Sequence, residues 1–147
     1  MKKKYIGIII GLLIAVLGIV VFSLNSKVPN YKERSIDDWY NDIINNKEVI
    51  TIYGASYCSH CHDYYPVISK LAVKYDLNLY FFEVDTLRES DPEGYDKLMN
   101  SFDISEYDGS VPFTYIMRNK QYVTSTTGFA NRDLTVKFLK ENVVIKN

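Results

Sequence analysis

The run Val49-Ile50-Thr51-Ile52-Tyr53-Gly54-Ala55-Ser56-Tyr57-Cys58-Ser59-His60-Cys61 joins a strand pattern to a pair of thiols at the mouth of a helix. Val49 to Ala55 is apolar on both alternations, as expected of a central strand covered on both faces. Cys58 and Cys61 are the only two cysteines of the chain. Two thiols separated by two residues on one helical turn can close a short disulfide without backbone movement. At a strand-to-helix junction they have the arrangement that dithiol–disulfide exchange needs. The first sulfur sits where free helix N–H groups and the helix dipole stabilise a thiolate, and the thiolate is the nucleophile of such exchange.

Two plainer readings compete with that one. A Cys-x-x-Cys can be half of a zinc site, but zinc most often takes four ligands as two pairs. No second cysteine pair exists, and the two histidines, His60 and His62, crowd the same turn. A purely structural disulfide is the other alternative. A bridge between residues three apart closes so small a loop that it constrains the unfolded chain little.

At 147 residues, the chain allows one ordinary domain and a short extra segment. Its net charge of −1 carries no basic footprint for nucleic acid. Lysines at positions 2–4 precede a stretch, 5–24, without any charge and with the length to cross a bilayer as a helix. A cleaved signal peptide competes. However, the apolar core exceeds the usual length, and Phe22-Ser23-Leu24-Asn25-Ser26 is a poor cleavage site. The expectation is an uncleaved anchor over 1–24, its N-terminus cytoplasmic by the positive-inside tendency. A polar tether over 25–34 and an extracytoplasmic domain over 35–147 follow it.

Within that domain, Ser35 with Asp38 resembles a capping box, opening a helix whose apolar face is Ile36, Trp39, Tyr40, Ile43 and Ile44. After Cys61, the spacing of Tyr64, Tyr65, Ile68, Leu71, Ala72 and Tyr75 predicts a helix on the sheet, kinked at Pro66. Leu77 to Asp85 reads as the next strand. Strand–helix–strand in this order implies a right-handed crossover and parallel pairing. Asp91-Pro92 starts a helix with Tyr95, Leu98, Met99 and Phe102 as its stripe, and a polar loop, 103–110, follows. Phe113 to Met117 and Gln121 to Thr127 form a hairpin, with Gly128 as a candidate bulge. Asn131 caps a last helix with Leu134, Phe138 and Leu139 on one side.

The element order, with Cys-x-x-Cys opening the second helix, resembles the thioredoxin superfamily from Ser35 to about Asn142. Tyr57 stands where the family carries an aromatic before its first cysteine. Pro66 falls where it has a helix-kinking proline, and Val111-Pro112 where it has a cis-proline facing the active site. Gly128, Leu134 and Phe138-Leu139 match its last strand and final helix. The resemblance implies an α/β, thioredoxin-like fold with a central mixed sheet flanked by helices. It also implies catalysis through a redox-active disulfide, Cys58 attacking and Cys61 resolving. His60 would tune the thiolate, Tyr57, Val111 and Pro112 would bind substrate, and no cofactor or metal would be required. The expected partners are thiol-containing exported proteins, a membrane or extracytoplasmic redox partner, and the bilayer through residues 5–24. The chain departs from the family at Ile52, where many members bury an acid, and at Ser59-His60, which resembles the oxidising members. The missing acid keeps open an accessory role of the bacteriocin-transport type.

Overall fold

The computed structural model describes residues 35–129 and 131–143. The anchor expected over 1–24 and the tether over 25–34 lie outside the described residues. Among those residues, no helix is long and apolar enough to cross a membrane.

The elements are α1 (Ile36–Ile44), β1 (Val49–Gly54), α2 (Ser59–Lys74), β2 (Leu79–Glu83), α3 (Val84–Ser90), α4 (Pro92–Asn100), β3 (Phe113–Arg118), β4 (Gln121–Thr127) and α5 (Arg132–Asn142). The sheet order is β2-β1-β3-β4, with β1 parallel to β2 and antiparallel to β3, and β3 antiparallel to β4. This is the expected mixed sheet. All six residues of β1 are buried, as a strand with neighbours on both edges and cover on both faces requires. Helix α1 opens on the expected capping box, with Asp38 N–H donating to Ser35 Oγ and Ser35 N–H to the Asp38 carboxylate. Trp39, fully buried, donates its indole N–H to Thr51 Oγ1 (3.0 Å) and meets Phe82 and Phe102 edge-on. Its one polar atom is thereby satisfied while the ring anchors α1 to the sheet.

Three expectations need correction. The second strand ends at Glu83, and Val84 and Asp85 already belong to helix α3. Val84 and Leu87, one turn apart, both pack on the core, whereas a longer strand would have sent them to opposite faces. The bulge is not at Gly128. Ile116 pairs with Thr124 and Met117 with Tyr122, which leaves Val123 as the extra residue of β4. Leu134 is half exposed, and the buried face of α5 is made by Thr135 and Leu139. Asn131 nonetheless caps α5 as expected, accepting from Leu134 N–H (2.9 Å). Pro66 sits inside α2 without ending it.

Candidate active site

The carboxyl ends of parallel strands are where open α/β sheets place their sites, because the chain there turns outward into loops. Gly54 at the end of β1 is in register with Glu83 at the end of β2. From Gly54 the chain runs through Ala55, Ser56 and Tyr57 into α2. Cys58 is the N-cap residue of that helix, in extended conformation. Its Sγ occupies the place usually taken by a serine or aspartate oxygen, accepting from Cys61 N–H at 3.1 Å. Sulfur at an N-cap faces unsatisfied N–H groups and the positive end of the helix dipole. Negative charge on Cys58 is therefore favoured before any side chain contributes.

Cys58 and Cys61 are joined by a disulfide, with Cα atoms 5.3 Å apart. The two sulfurs are not equivalent. Cys61 is 2 % exposed and Cys58 9 %, with Cys58 at the rim beside Tyr57, which is 81 % exposed. The Val111 carbonyl oxygen lies 3.8 Å from Cys58 Sγ. The Val111–Pro112 peptide is cis, and Pro112 O accepts from Gly128 N–H at 2.8 Å, tying this loop to the end of β4. Ala55, Cys58, Cys61 and Val111 pack as one small apolar cluster. The structure thus brings Tyr57, Cys58, Cys61, Val111 and Pro112 together. His60 is exposed on the first turn of α2.

The end of β1 that leads into the site is apolar. Ile52 is fully buried, in register with Phe81 of β2 and Thr114 of β3. The Phe81 ring lies so close over Gly54 that a Cβ there would meet it at 2.6 Å, with Cys61 Cβ at 3.6 Å. Gly54 is therefore required by close approach rather than by backbone conformation. Tyr64 of α2 gives or takes a hydrogen bond with Thr114 Oγ1 (3.0 Å), and burial pushes its pKa up to about 12. It stays neutral at physiological pH and offers no base.

Sequence reasoning passed over three residues at this site. The Asp85 carboxylate accepts from Ser56 N–H (3.0 and 3.1 Å) and from Ser56 Oγ–H (2.5 Å). Those bonds, led by the Ser56 hydroxyl, hold its pKa below the usual carboxylate value. His62 donates Nε2–H to the Ser56 carbonyl oxygen (3.1 Å). The parallel register was the available signal, since running two residues past Gly54 and Glu83 sets Ser56 opposite Asp85. Among the described residues, no group of three or more His, Cys, Asp or Glu is placed to hold a metal ion.

A redox-capable cysteine pair at the N-terminus of a helix, on a mixed sheet and beside a cis-proline loop, defines a dithiol–disulfide exchange protein of the α/β class. A comparison with protein families matches residues 32–141 to thioredoxin. The chain belongs to the thioredoxin family, and its fold and Cys58–Cys61 pair are those of a thiol–disulfide oxidoreductase. No curated protein matches the chain. Among solved structures it is similar to Plasmodium falciparum thioredoxin at 19 % identity, covering 73 % of this chain and 93 % of that one, with a TM-score of 0.54. Oxidised thioredoxin O2 from Arabidopsis thaliana is similar at 14 % identity over 73 % of this chain and 88 % of that one, TM-score 0.53. The oxidised form of mitochondrial thioredoxin 3 from Saccharomyces cerevisiae is similar at 20 % identity over 73 % of this chain and 90 % of that one, TM-score 0.51. At these identities the likeness is one of fold.

Proposed function

We propose that the protein is a membrane-anchored, extracytoplasmic oxidoreductase that exchanges disulfides with exported proteins through Cys58 and Cys61. The observation that carries the exchange reading is the placement of the pair, Cys58 on the N-cap of α2 with 9 % exposure, its Sγ on the Cys61 N–H, and Cys61 more deeply buried at 2 %. The anchoring part rests on the uncharged stretch 5–24 and the lysines before it.

In the oxidising direction, a client thiolate attacks Cys58 Sγ. The Cys58–Cys61 bond breaks, its electron pair goes to Cys61 Sγ, and Cys61 takes a proton. A second client thiolate then attacks the client's own sulfur in the mixed disulfide and releases Cys58 as a thiolate. Two electrons pass from client to protein, and a redox partner must remove them for the next cycle. The reverse sequence reduces a client at the expense of a partner reductant. Tyr57, Val111 and Pro112 line the face a client backbone would use, and an exposed His60, when charged, favours the Cys58 thiolate.

Replacing Cys61 removes the protein's own resolving thiol, so a mixed disulfide formed when the Cys58 thiolate attacks a client disulfide is not released from within the protein. Cys61→Ala is therefore expected to accumulate client adducts that dissolve on reduction, visible as shifted bands on non-reducing gels. Absence of adducts from a folded variant refutes exchange catalysis. The reduction potential of the pair decides direction: near roughly −270 mV the protein reduces, and approaching about −120 mV it oxidises.

The apolar floor of Ile52 and Phe81 supports a second reading, an export accessory with weak catalysis. Export of the client surviving loss of both cysteines would favour it.

A further inference from the structure

Ser56 is held from two sides. Asp85, in the first turn of α3, takes both its N–H and its hydroxyl. His62, the fourth residue of α2, donates to its carbonyl. Ala55, on the other side of the turn, accepts from Cys58 N–H at 3.0 Å. One short segment between β1 and the nucleophile is thereby fastened to the end of the neighbouring strand and to the helix it is about to enter.

While the disulfide is closed, the covalent bond fixes Cys58 Sγ against the start of α2. Once a client opens it, that restraint is gone. The thiolate keeps its N–H partner only if the backbone from Ser56 to Cys58 stays put. We propose that Asp85 and His62 are positioning residues for exchange, holding Ser56 so that Cys58 Sγ remains on the Cys61 N–H after the disulfide opens. The inference rests on the exchange reading above, but concerns a property of the reduced chain that needs no client.

Positioning and simple charge act with opposite sign at Asp85. A carboxylate near a thiol opposes its ionisation, so removing the negative charge alone lowers the thiol pKa. Removing the clamp frees the loop, weakens the N–H contact and raises it. At His62 both effects raise the thiol pKa, but only positioning is rescued by a neutral donor.

The test is the rate at which iodoacetamide alkylates Cys58 at about pH 6 in the full chain carrying Cys61→Ala, compared with the same chain carrying a second substitution. Below the thiol pKa this rate follows the thiolate fraction. Asp85→Ala is expected to slow alkylation about threefold or more, the effect of a thiol pKa raised by roughly half a unit. Asp85→Asn, which keeps an acceptor but loses the charge, is expected at or above the reference rate, and so faster than Asp85→Ala. His62→Phe is expected to slow it and His62→Gln, which keeps a donor, to restore it. Alkylation in Asp85→Ala that is unchanged or faster, alkylation in Asp85→Asn no faster than in Asp85→Ala, or failure of Gln to rescue overturns the proposal. If Asp85→Ala does not fold, the His62 pair decides alone. Should client adducts be absent while this alkylation pattern holds, the exchange reading fails and the positioning of Cys58 stands.

Discussion

Ile52 is fully buried in β1, two residues before Gly54, beside which the Cys61 Cβ lies, and the exchange chemistry of that cysteine releases or takes up a proton. Cys61 is 2 % exposed and packs in the apolar cluster with Ala55, so burial favours a thiol over a thiolate there once the disulfide opens. Resolution of a mixed disulfide needs the Cys61 thiolate, and that proton must leave without a buried carboxylate to receive it. Ile52→Asp tests the consequence. Placing a carboxylate at a fully buried position without a partner is expected to destabilise the fold by on the order of 3 kcal/mol. The folded form would hold that proton to higher pH than the unfolded chain. The loss of stability therefore grows as pH rises above about 4, and urea unfolding at several pH values reads it. In the same variant, release of a mixed disulfide by Cys61 is expected to quicken at neutral pH. An unchanged rate shows that the apolar floor does not limit resolution. At this scale the sequence is unevenly legible. Cys58, Cys61, Tyr57, Val111 and Pro112 are marked by spacing and family pattern. Of the two histidines, His60 draws attention because it lies between the cysteines. The hydrogen bond to the loop belongs to His62, whose partner is a backbone carbonyl that no side-chain pattern announces.

Element by element, the legible signals are local. The Ser35–Asp38 box, the Asn131 cap and the buried run of β1 are each written within a few residues. The boundaries that differ from expectation are decided by tertiary contact. Helix α3 has no periodic stripe beyond Val84 and Leu87, so only the core they meet turns the chain there. The β3–β4 hairpin shows the same division. Its two-residue turn, Asn119-Lys120, lies where the sequence places it, and both residues have positive φ, 52° and 64°. Such a turn suits the right-handed twist of the strands. Asparagine tolerates this conformation, but lysine pays for its Cβ. Lys120→Gly is expected to stabilise the fold by about 0.5–1 kcal/mol, the relieved strain being partly offset by glycine's greater freedom when unfolded. A shift in the urea midpoint with unchanged slope measures it. No gain would mean that the Lys120 side chain contributes as much as its backbone costs.

Across the whole molecule, ionisable groups set the pH range in which the fold holds. Asp42 joins α1 to β2, accepting from Asn78 Nδ2 (2.9 Å) and Tyr80 OH (2.8 Å) and pairing with Lys47. Burial pushes its pKa up, but the bonds from Lys47, Tyr80 and Asn78 outweigh that and hold it below the ordinary value. Asp85, Glu106 and Asp108 are displaced the same way, by bonds from Ser56, from Tyr122 and Ser125, and from Ser110 respectively. A carboxyl whose folded pKa is depressed stabilises the fold above its unfolded value, and that contribution is lost as pH falls through the folded one. On the alkaline side, burial pushes Tyr64 and Tyr115 up to about 12. The unfolded chain gives up those protons first, near pH 10, and stability falls as pH rises beyond it. The expected profile is a plateau between about pH 4 and pH 10 with a decline on each side. Asp42→Asn isolates one contribution. It keeps an acceptor for Tyr80 but loses the charge, so it is expected to lower stability near neutrality by about 1 kcal/mol. It should also flatten the acid limb, because one fewer depressed carboxyl remains to be protonated. An acid limb as steep as that of the parent chain would assign the decline to the other three carboxylates. The link between α1 and β2 would then rest on packing and on the hydrogen bonds, not on the Asp42 charge.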